Sequence, residues 1–468
     1  MYKKFILFLF VMLVLFLNNA QAELTGSVQK PVKKIHTPDL SKNCEPEPVF
    51  NGQACIYEIN KKAKQAVVLV HGLNAEASRW HAQIAALKDR YHVISFDLPG
   101  FGQSSRGNEL YSPTNYARFV RYVTKKYIGK PFYLVGHSMG GAIALRYSAM
   151  YPADVKRLVL ADVGGVLHQY SYAKSIALKW FKVFQSITNW AIPGFEDMPI
   201  MHELANTFFQ NLDWLPIDVR DALQVPELRR IILNGNSIPI ASVAVSTEDF
   251  SGAIRNNKTP TLIIWGAYDL VTPIRTGKIL QVRMPKAYLK VLSRSAHSTM
   301  TDQPEEFNKL MLAHIEQTDS ELSHQHWQFP LFEKSKRVGK CINELEKTFT
   351  GNYLRIELEN CRKAIIKNAN IGLIVAKNTS LEIETSQIIT EDIGITLFDS
   401  NLDITSSNIT ANIAIQTVRS YIDVAGVDFK IKTATVNNFG QSSVVFSVSM
   451  VNGKPLHRYK DFTLEGQI

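Results

Sequence analysis

The stretch that most constrains this chain is Gly136-His137-Ser138-Met139-Gly140-Gly141. The apolar run Phe132-Tyr133-Leu134-Val135 leads into it and reads as a buried strand; residues 142–150 behind it read as a helix. A serine in Gly-x-Ser-x-Gly between strand and helix sits on a tight, strained turn with its hydroxyl exposed. Gly136 and Gly140, lacking a Cβ, let strand and helix approach on either side of that turn. The same geometry aims the first N–H groups of the helix at negative charge developing beside Ser138. The five-residue pattern alone is often just a turn. Its flanking elements make Ser138 a candidate nucleophile.

Around this turn, strand-like and helix-like segments alternate. Strands are expected at 50–58, 66–70, 91–97, 157–162, 259–266 and 287–292, with helices at 78–89, 116–127, 274–284 and 304–315. Residues 66–70 contain nothing polar, as befits a strand of a parallel sheet covered on both faces. The alternation predicts an α/β fold with an open parallel sheet. Residues 164 to about 255 break the rhythm and predict a helical lid over the carboxyl ends of the strands, where ligands bind. The lid is rich in large apolar groups: Tyr170, Tyr172, Trp180, Phe181, Phe184, Trp190, Phe208, Phe209 and Trp214. Some of these line an apolar pocket in this reading, and the rest form the lid's own core.

A serine hydroxyl needs a base to take its proton. His297 follows the last strand of this unit, whereas His314 falls in a helix, His324 and His326 in a polar stretch and His457 near the end of the chain. His324 and His326, two residues apart with no third ligand nearby, make a weak metal site, so neither metal nor cofactor is expected. The acid that orients the imidazole should follow another strand; Asp269 does, giving the order Ser138, Asp269, His297. The oxyanion of the tetrahedral intermediate needs two donors. The N–H groups of Met139 and of Leu73, in the loop after residues 66–70, are the candidates.

These residues carry a resemblance. His71-Gly72-Leu73, Asp97-Leu98-Pro99-Gly100-Phe101-Gly102-Gln103-Ser104, Gly136-His137-Ser138-Met139-Gly140-Gly141, Trp265-Gly266-Ala267-Tyr268-Asp269 and Ala296-His297 resemble the α/β-hydrolase superfamily, in its lidded lipase, esterase and proline-iminopeptidase-like branch. The resemblance implies Ser138 as nucleophile, His297 as base, Asp269 as acid, and Leu73 with Met139 as the oxyanion pair.

The ends of the chain are different in kind. Lys3 and Lys4, an apolar run over 5–17 and Ala20-Gln21-Ala22 read as a signal peptide over 1–22, so an exported chain, periplasmic or secreted, would begin at Glu23. Residues 23–49 are expected as an extension over the surface, 50–316 as the hydrolase domain and 317–345 as a linker. Cys44, Cys55, Cys341 and Cys361 admit three pairings, of which Cys44–Cys55 and Cys341–Cys361 is preferred as the sequence-local one. Within 346–468, Leu381-Glu382-Ile383, Leu402-Asp403-Ile404 and Tyr421-Ile422-Asp423-Val424 recur at about 20 residues with Asn-containing corners, predicting a solenoid-like β region. Its simplest form is a small parallel β-helix, resembling right-handed β-helix domains in a general way; a β-sandwich is the alternative.

The formal charge of +10, or +8 without Lys3 and Lys4, suits an anionic membrane surface or an acidic polysaccharide as well as plain solubility, and no nucleic-acid module accompanies it. The expected function is an exported serine esterase or lipase acting on a small-molecule or lipid ester. Its β region is expected either to contact polysaccharide or the cell surface, with peripheral membrane association, or to serve only folding and stability. Two rivals are cleavage of N-terminal prolyl amides, with Glu203, Asp213, Asp218 or Asp221 holding the amine, and a non-catalytic binding protein.

Overall fold

A computed structural model of the chain describes residues 40–168, 171, 225–456 and 466–467. The expected signal peptide, the named lid aromatics, the four lid acids and His457 lie outside the described residues.

Eight strands form one sheet: β1 (Ser41–Glu47), β2 (Gly52–Ile59), β3 (Ala66–Val70), β4 (His92–Phe96), β5 (Phe132–His137), β6 (Val155–Ala161), β7 (Thr261–Gly266) and β8 (Ala287–Leu292). Their order is β1-β2-β4-β3-β5-β6-β7-β8. β1, β2 and β4 pair antiparallel, and every later pair is parallel. β1 occupies residues expected to lie as an extension; it folds back on β2, where Cys44 faces Cys55 and is disulfide-bonded to it.

The apolar run of β3 splits between the two faces. Val68 and Val70 enter a core with α2 (Pro113–Tyr127), α3 (Met139–Met150), α6 (Ser251–Arg255) and α7 (Ile274–Arg283). Val67 and Leu69 enter a second core with α1 (His81–Leu87) and α9 (Pro304–Glu316). Among the described residues the remaining α-helices are α4 (Pro226–Ile232), α5 (Ser237–Thr247), α8 (Thr299–Asp302) and α10 (Asp319–Ser323). α2 shows how local chemistry starts a helix: Ser112 Oγ accepts from Asn115 N at 3.1 Å, and Pro113 fills the first turn where no N–H is needed. Because β3 lies between β4 and β5, chain direction from β3 reverses there, and the carboxyl ends of β3 and β5 flank the crevice.

The β region runs from β9 (Val338–Ile342) through β10 (Glu346–Glu359), β11 (Lys363–Lys377), β12 (Ser380–Glu384), β13 (Gln387–Ile389), β14 (Ile393–Phe398), β15 (Asn401–Thr405), β16 (Asn408–Val418), β17 (Tyr421–Ala425), β18 (Asp428–Asn438), β19 (Ser443–Ser447), β20 (Met450–Val451) and β21 (Lys454–Pro455) to β22 (Gly466–Gln467). The expectation of a parallel β-helix is corrected here. The described strands belong to one connected 14-stranded sheet that encloses a single apolar core, as a barrel wall does. β10, β11, β16 and β18 are long strands of 11 to 15 residues where short segments were expected, and antiparallel pairs (β20 with β21, β18 with β22) end it. Nor is 317–345 a free linker: it holds α10 and β9, and the carbonyls of Pro330 and Leu331 accept from Gln387 and Asn370. The repeats themselves reflect stacking: Leu381, Leu402, Ile422 and Val444 form one column of partners, and Ile383, Ile404, Val424 and Phe446 the next. Cys341 and Cys361 are disulfide-bonded at its start.

This region is packed against the hydrolase. Ala425 and Val448 join the core that α2 and α3 build. From α7, Lys278 pairs with Glu384, Arg275 with Asp423 at 2.7 Å and Arg283 with Asp428 at 2.9 Å; Arg255 of α6 also meets Asp428. The side chain of Asp423 has no exposed surface, so removing its partner would leave a buried charge, a loss of about 3–5 kcal/mol.

Candidate active site

Ser138 stands between β5 and α3 with φ 54° and ψ −119°, a left-handed conformation that a serine adopts only under strain. Two glycines make the turn possible. A Cβ on Gly136 would lie 2.2 Å from the Gly140 carbonyl oxygen, and one on Gly140 would lie 2.2 Å from that of Val70. Strand and helix are closer than any side chain allows.

Three side chains chosen from the sequence meet at this turn. The Ser138 hydroxyl lies 3.0 Å from His297 Nε2, and His297 Nδ1 lies 3.0 Å from Asp269 Oδ2. A carboxylate only accepts, so Nδ1 carries the proton and Nε2 offers its lone pair to the serine. Asp269 is fully buried; burial pushes its carboxyl up, but His297 and the hydrogen bonds from Thr272 outweigh this and hold it below the usual carboxylate value. Thr272 donates from its hydroxyl to Oδ2 at 2.5 Å and from its N–H to Oδ1 at 2.9 Å, and Val271 N donates to Oδ1 at 2.8 Å.

The proposed oxyanion donors flank the serine. Met139 opens α3, where its N–H has no intrahelical acceptor. Leu73 follows Gly72, whose added Cβ would lie 3.1 Å from Ser138 Cβ. His71 orders this loop: its Nε2 accepts from Leu98 N at 2.9 Å and its Nδ1 donates to the Gly72 carbonyl at 2.7 Å. Burial brings the His71 pKa down to about 4, so the ring is neutral.

Several site residues were not anticipated. Asp162, at the end of β6 with φ 46°, is fully buried; its Oδ1 accepts from Gly266 N at 2.9 Å and its Oδ2 from the Thr299 hydroxyl at 2.7 Å. It thus ties the strand leading to Asp269 to the helix behind His297. Burial, with the charge of Asp269 nearby, pushes its carboxyl up. His137 Nε2 donates to the His297 carbonyl at 2.6 Å, and burial lowers its pKa to about 3. Asp302 Oδ2 accepts from Ala296 N at 2.8 Å, fixing the His297 loop from the other side. Asp162 had a signal in the sequence, since it ends a predicted strand just as the segment before Asp269 does. Asp302 and Thr272 had none. His314 lies away from the site, buried in α9 with its Nδ1 3.0 Å from the Tyr288 hydroxyl.

The family model described as alpha/beta hydrolase fold matches residues 65–304; it ends before β9 and takes in no part of the β region. Among curated proteins, monoacylglycerol lipase ABHD6 of Homo sapiens is 26% identical over 267 residues, covering 55% of this chain and 78% of its own length. The uncharacterized hydrolase YugF of Bacillus subtilis is 27% identical over 256 residues, covering 52% and 86%. Of solved structures, the esterase EaEST from Exiguobacterium antarcticum aligns over 59% of this chain and 100% of its own, with 21% identity and a TM-score of 0.44. A hydrolase from Pseudomonas aeruginosa aligns over 60% and 100%, with 21% identity and a TM-score of 0.43.

Proposed function

The chain belongs to the α/β-hydrolase family, whose model spans just over half of it, and from that premise we propose a serine esterase working through an acyl-enzyme. General esterase- or lipase-like hydrolysis of a small-molecule ester follows from the family; the roles of individual residues are our reading. The observation that carries it is the relay centred on His297, with Ser138 Oγ and Asp269 Oδ2 each 3.0 Å from a ring nitrogen.

In this reading Ser138 Oγ attacks the ester carbonyl as its proton passes to His297 Nε2. The N–H groups of Leu73 and Met139 receive the charge that collects on the carbonyl oxygen. His297 then gives its proton to the departing alcohol. Water attacks the acyl-serine, with its proton taken by the same nitrogen, and the acid leaves as Ser138 regains a proton. Asp269 stays ionised throughout, holding Nδ1–H and stabilising the imidazolium that forms twice per cycle.

The test is hydrolysis of p-nitrophenyl esters of increasing acyl length, with a monoacylglycerol added to the panel because of the human relative's name. Ser138→Ala should lower kcat by about 10⁴- to 10⁶-fold while the protein stays folded. The acyl-length optimum reports the pocket. A wild-type protein that turns over no ester in the panel sinks the proposal.

A further inference from the structure

The β region reaches the hydrolase at two segments that leave the site. One follows β6: Asp162 binds Gly266 and Thr299, Gly164 N donates to the carbonyl of Ser138 at 3.1 Å, and the chain runs on to His168 and Ser171. The other is α7, which begins five residues after Asp269. Both reach β17 of the β region. His168 N donates to Ser447 Oγ at 2.8 Å, and Ser171 Oγ donates to Asp423 Oδ1 at 2.9 Å. The other oxygen of that carboxylate, Asp423 Oδ2, accepts from Arg275 Nη1 at 2.7 Å. Arg275 is held further by the Thr405 hydroxyl at 2.6 Å and the Ile404 carbonyl at 3.1 Å.

We propose that Asp423 is a positioning residue for the hydrolase site, its buried carboxylate joining the segment behind Ser138 and Asp162 to the helix behind Asp269. One oxygen serves each segment, so neither shifts without disturbing the other. The β region is then part of the catalytic unit. A carboxylate suits this place because it accepts on both oxygens, and full charge is needed to match the guanidinium. Displacements of an ångström or less in the Ser138–His297–Asp269 geometry are what such a clamp prevents, and they cost turnover far more than binding.

The proposal rests on the serine-esterase reading, and its test separates the two. Asp423→Asn keeps the shape and loses the charge; Ser171→Ala removes one arm and leaves the Arg275 pair intact. For each, kcat and KM are measured on a short p-nitrophenyl ester, with the rate of Ser138 labelling by a fluorophosphonate and a melting curve on the full chain. Asp423→Asn should lower kcat and the labelling rate together by about tenfold to a hundredfold, with KM within about twofold, in folded protein. Ser171→Ala should lower both by a smaller factor, about threefold to tenfold. Arg275→Lys should retain more turnover than Arg275→Gln. A folded Asp423→Asn enzyme with wild-type kcat overturns the clamp, as does wild-type kcat in Ser171→Ala where Asp423→Asn does not fold. Failure of the esterase reading shows separately, as wild-type protein that neither hydrolyses the ester nor takes the label.

Discussion

Two buried carboxyls lie on either side of the His297 loop, and their surroundings set them apart. Asp269 accepts from the imidazole and from Thr272, which keeps it ionised; Asp162 is pushed towards its neutral form by burial and by the charge of Asp269. Asparagine is a close mimic of a neutral acid and a poor one of a carboxylate. Asp162→Asn should therefore keep kcat within about tenfold, whereas Asp269→Asn should lose about 10⁴-fold, as expected where the imidazole takes the wrong tautomer. Equal losses in ester turnover would show that Asp162 acts as a charge as well. Asp162→Ala, which strands the Gly266 and Thr299 donors, should cost about 1–3 kcal/mol of stability in chemical denaturation. At this scale the sequence is legible where a residue type coincides with a strand end, which singles out Ser138, Asp269 and His297. Thr272, Asp302 and His137 act through hydrogen bonds to loops whose course the sequence does not reveal.

The elbow of β5, Ser138 and α3 is the element most fully written in the sequence, because its constraint is steric and local. Gly140→Ala would place a methyl 2.2 Å from the Val70 carbonyl oxygen and 2.4 Å from that of His71, with backbone on both sides and nothing flexible to give way. We expect a loss of about 1–3 kcal/mol and a fall in ester turnover even where the protein folds, since the loop after β3 holds Leu73, the proposed oxyanion donor. A Gly140→Ala enzyme with wild-type melting and turnover would mean that helix and strand separate freely. The β region was legible in part. Its inward columns, such as Leu402-Ile422-Val444, show as a recurrence near 20 residues. Left-handed corners at Asn343, Asn360 and Asn378 match the Asn-containing turns, but Asp399 and Arg419 take the same place in later rows. The long strands that bend through a corner, and the antiparallel pairs at the end, have no such signature. Pairing over large separations leaves little trace in a local pattern.

For the whole molecule, acid is the revealing variable. His71, His137 and His314 are all buried, with burial lowering their pKa values to about 4, about 3 and about 3. In the unfolded chain each takes a proton near pH 6.5. Between about pH 6.5 and 4 the unfolded state therefore binds more protons, so stability is fully present above that window and falls as pH drops through it. Each ring contributes a slope of up to ~1.4 kcal/mol per pH unit. The raised carboxyl of Asp162 acts in the opposite direction and reduces this uptake. Denaturant titrations at a series of pH values would measure this, and a flat profile from pH 7 to 4.5 would contradict it. The interface with the β region carries a consequence of another sort. The hydrolase meets Glu384, Thr405, Asp423 and Ser447, one residue on each of the adjacent strands β12, β15, β17 and β19. These partners sit on successive rows about 4.8 Å apart, so the surface of the hydrolase works as a ruler with four marks. A strand gained or lost between β12 and β19 would set the wrong side chain at each mark, so the number of strands between those two is fixed by the enzyme they touch.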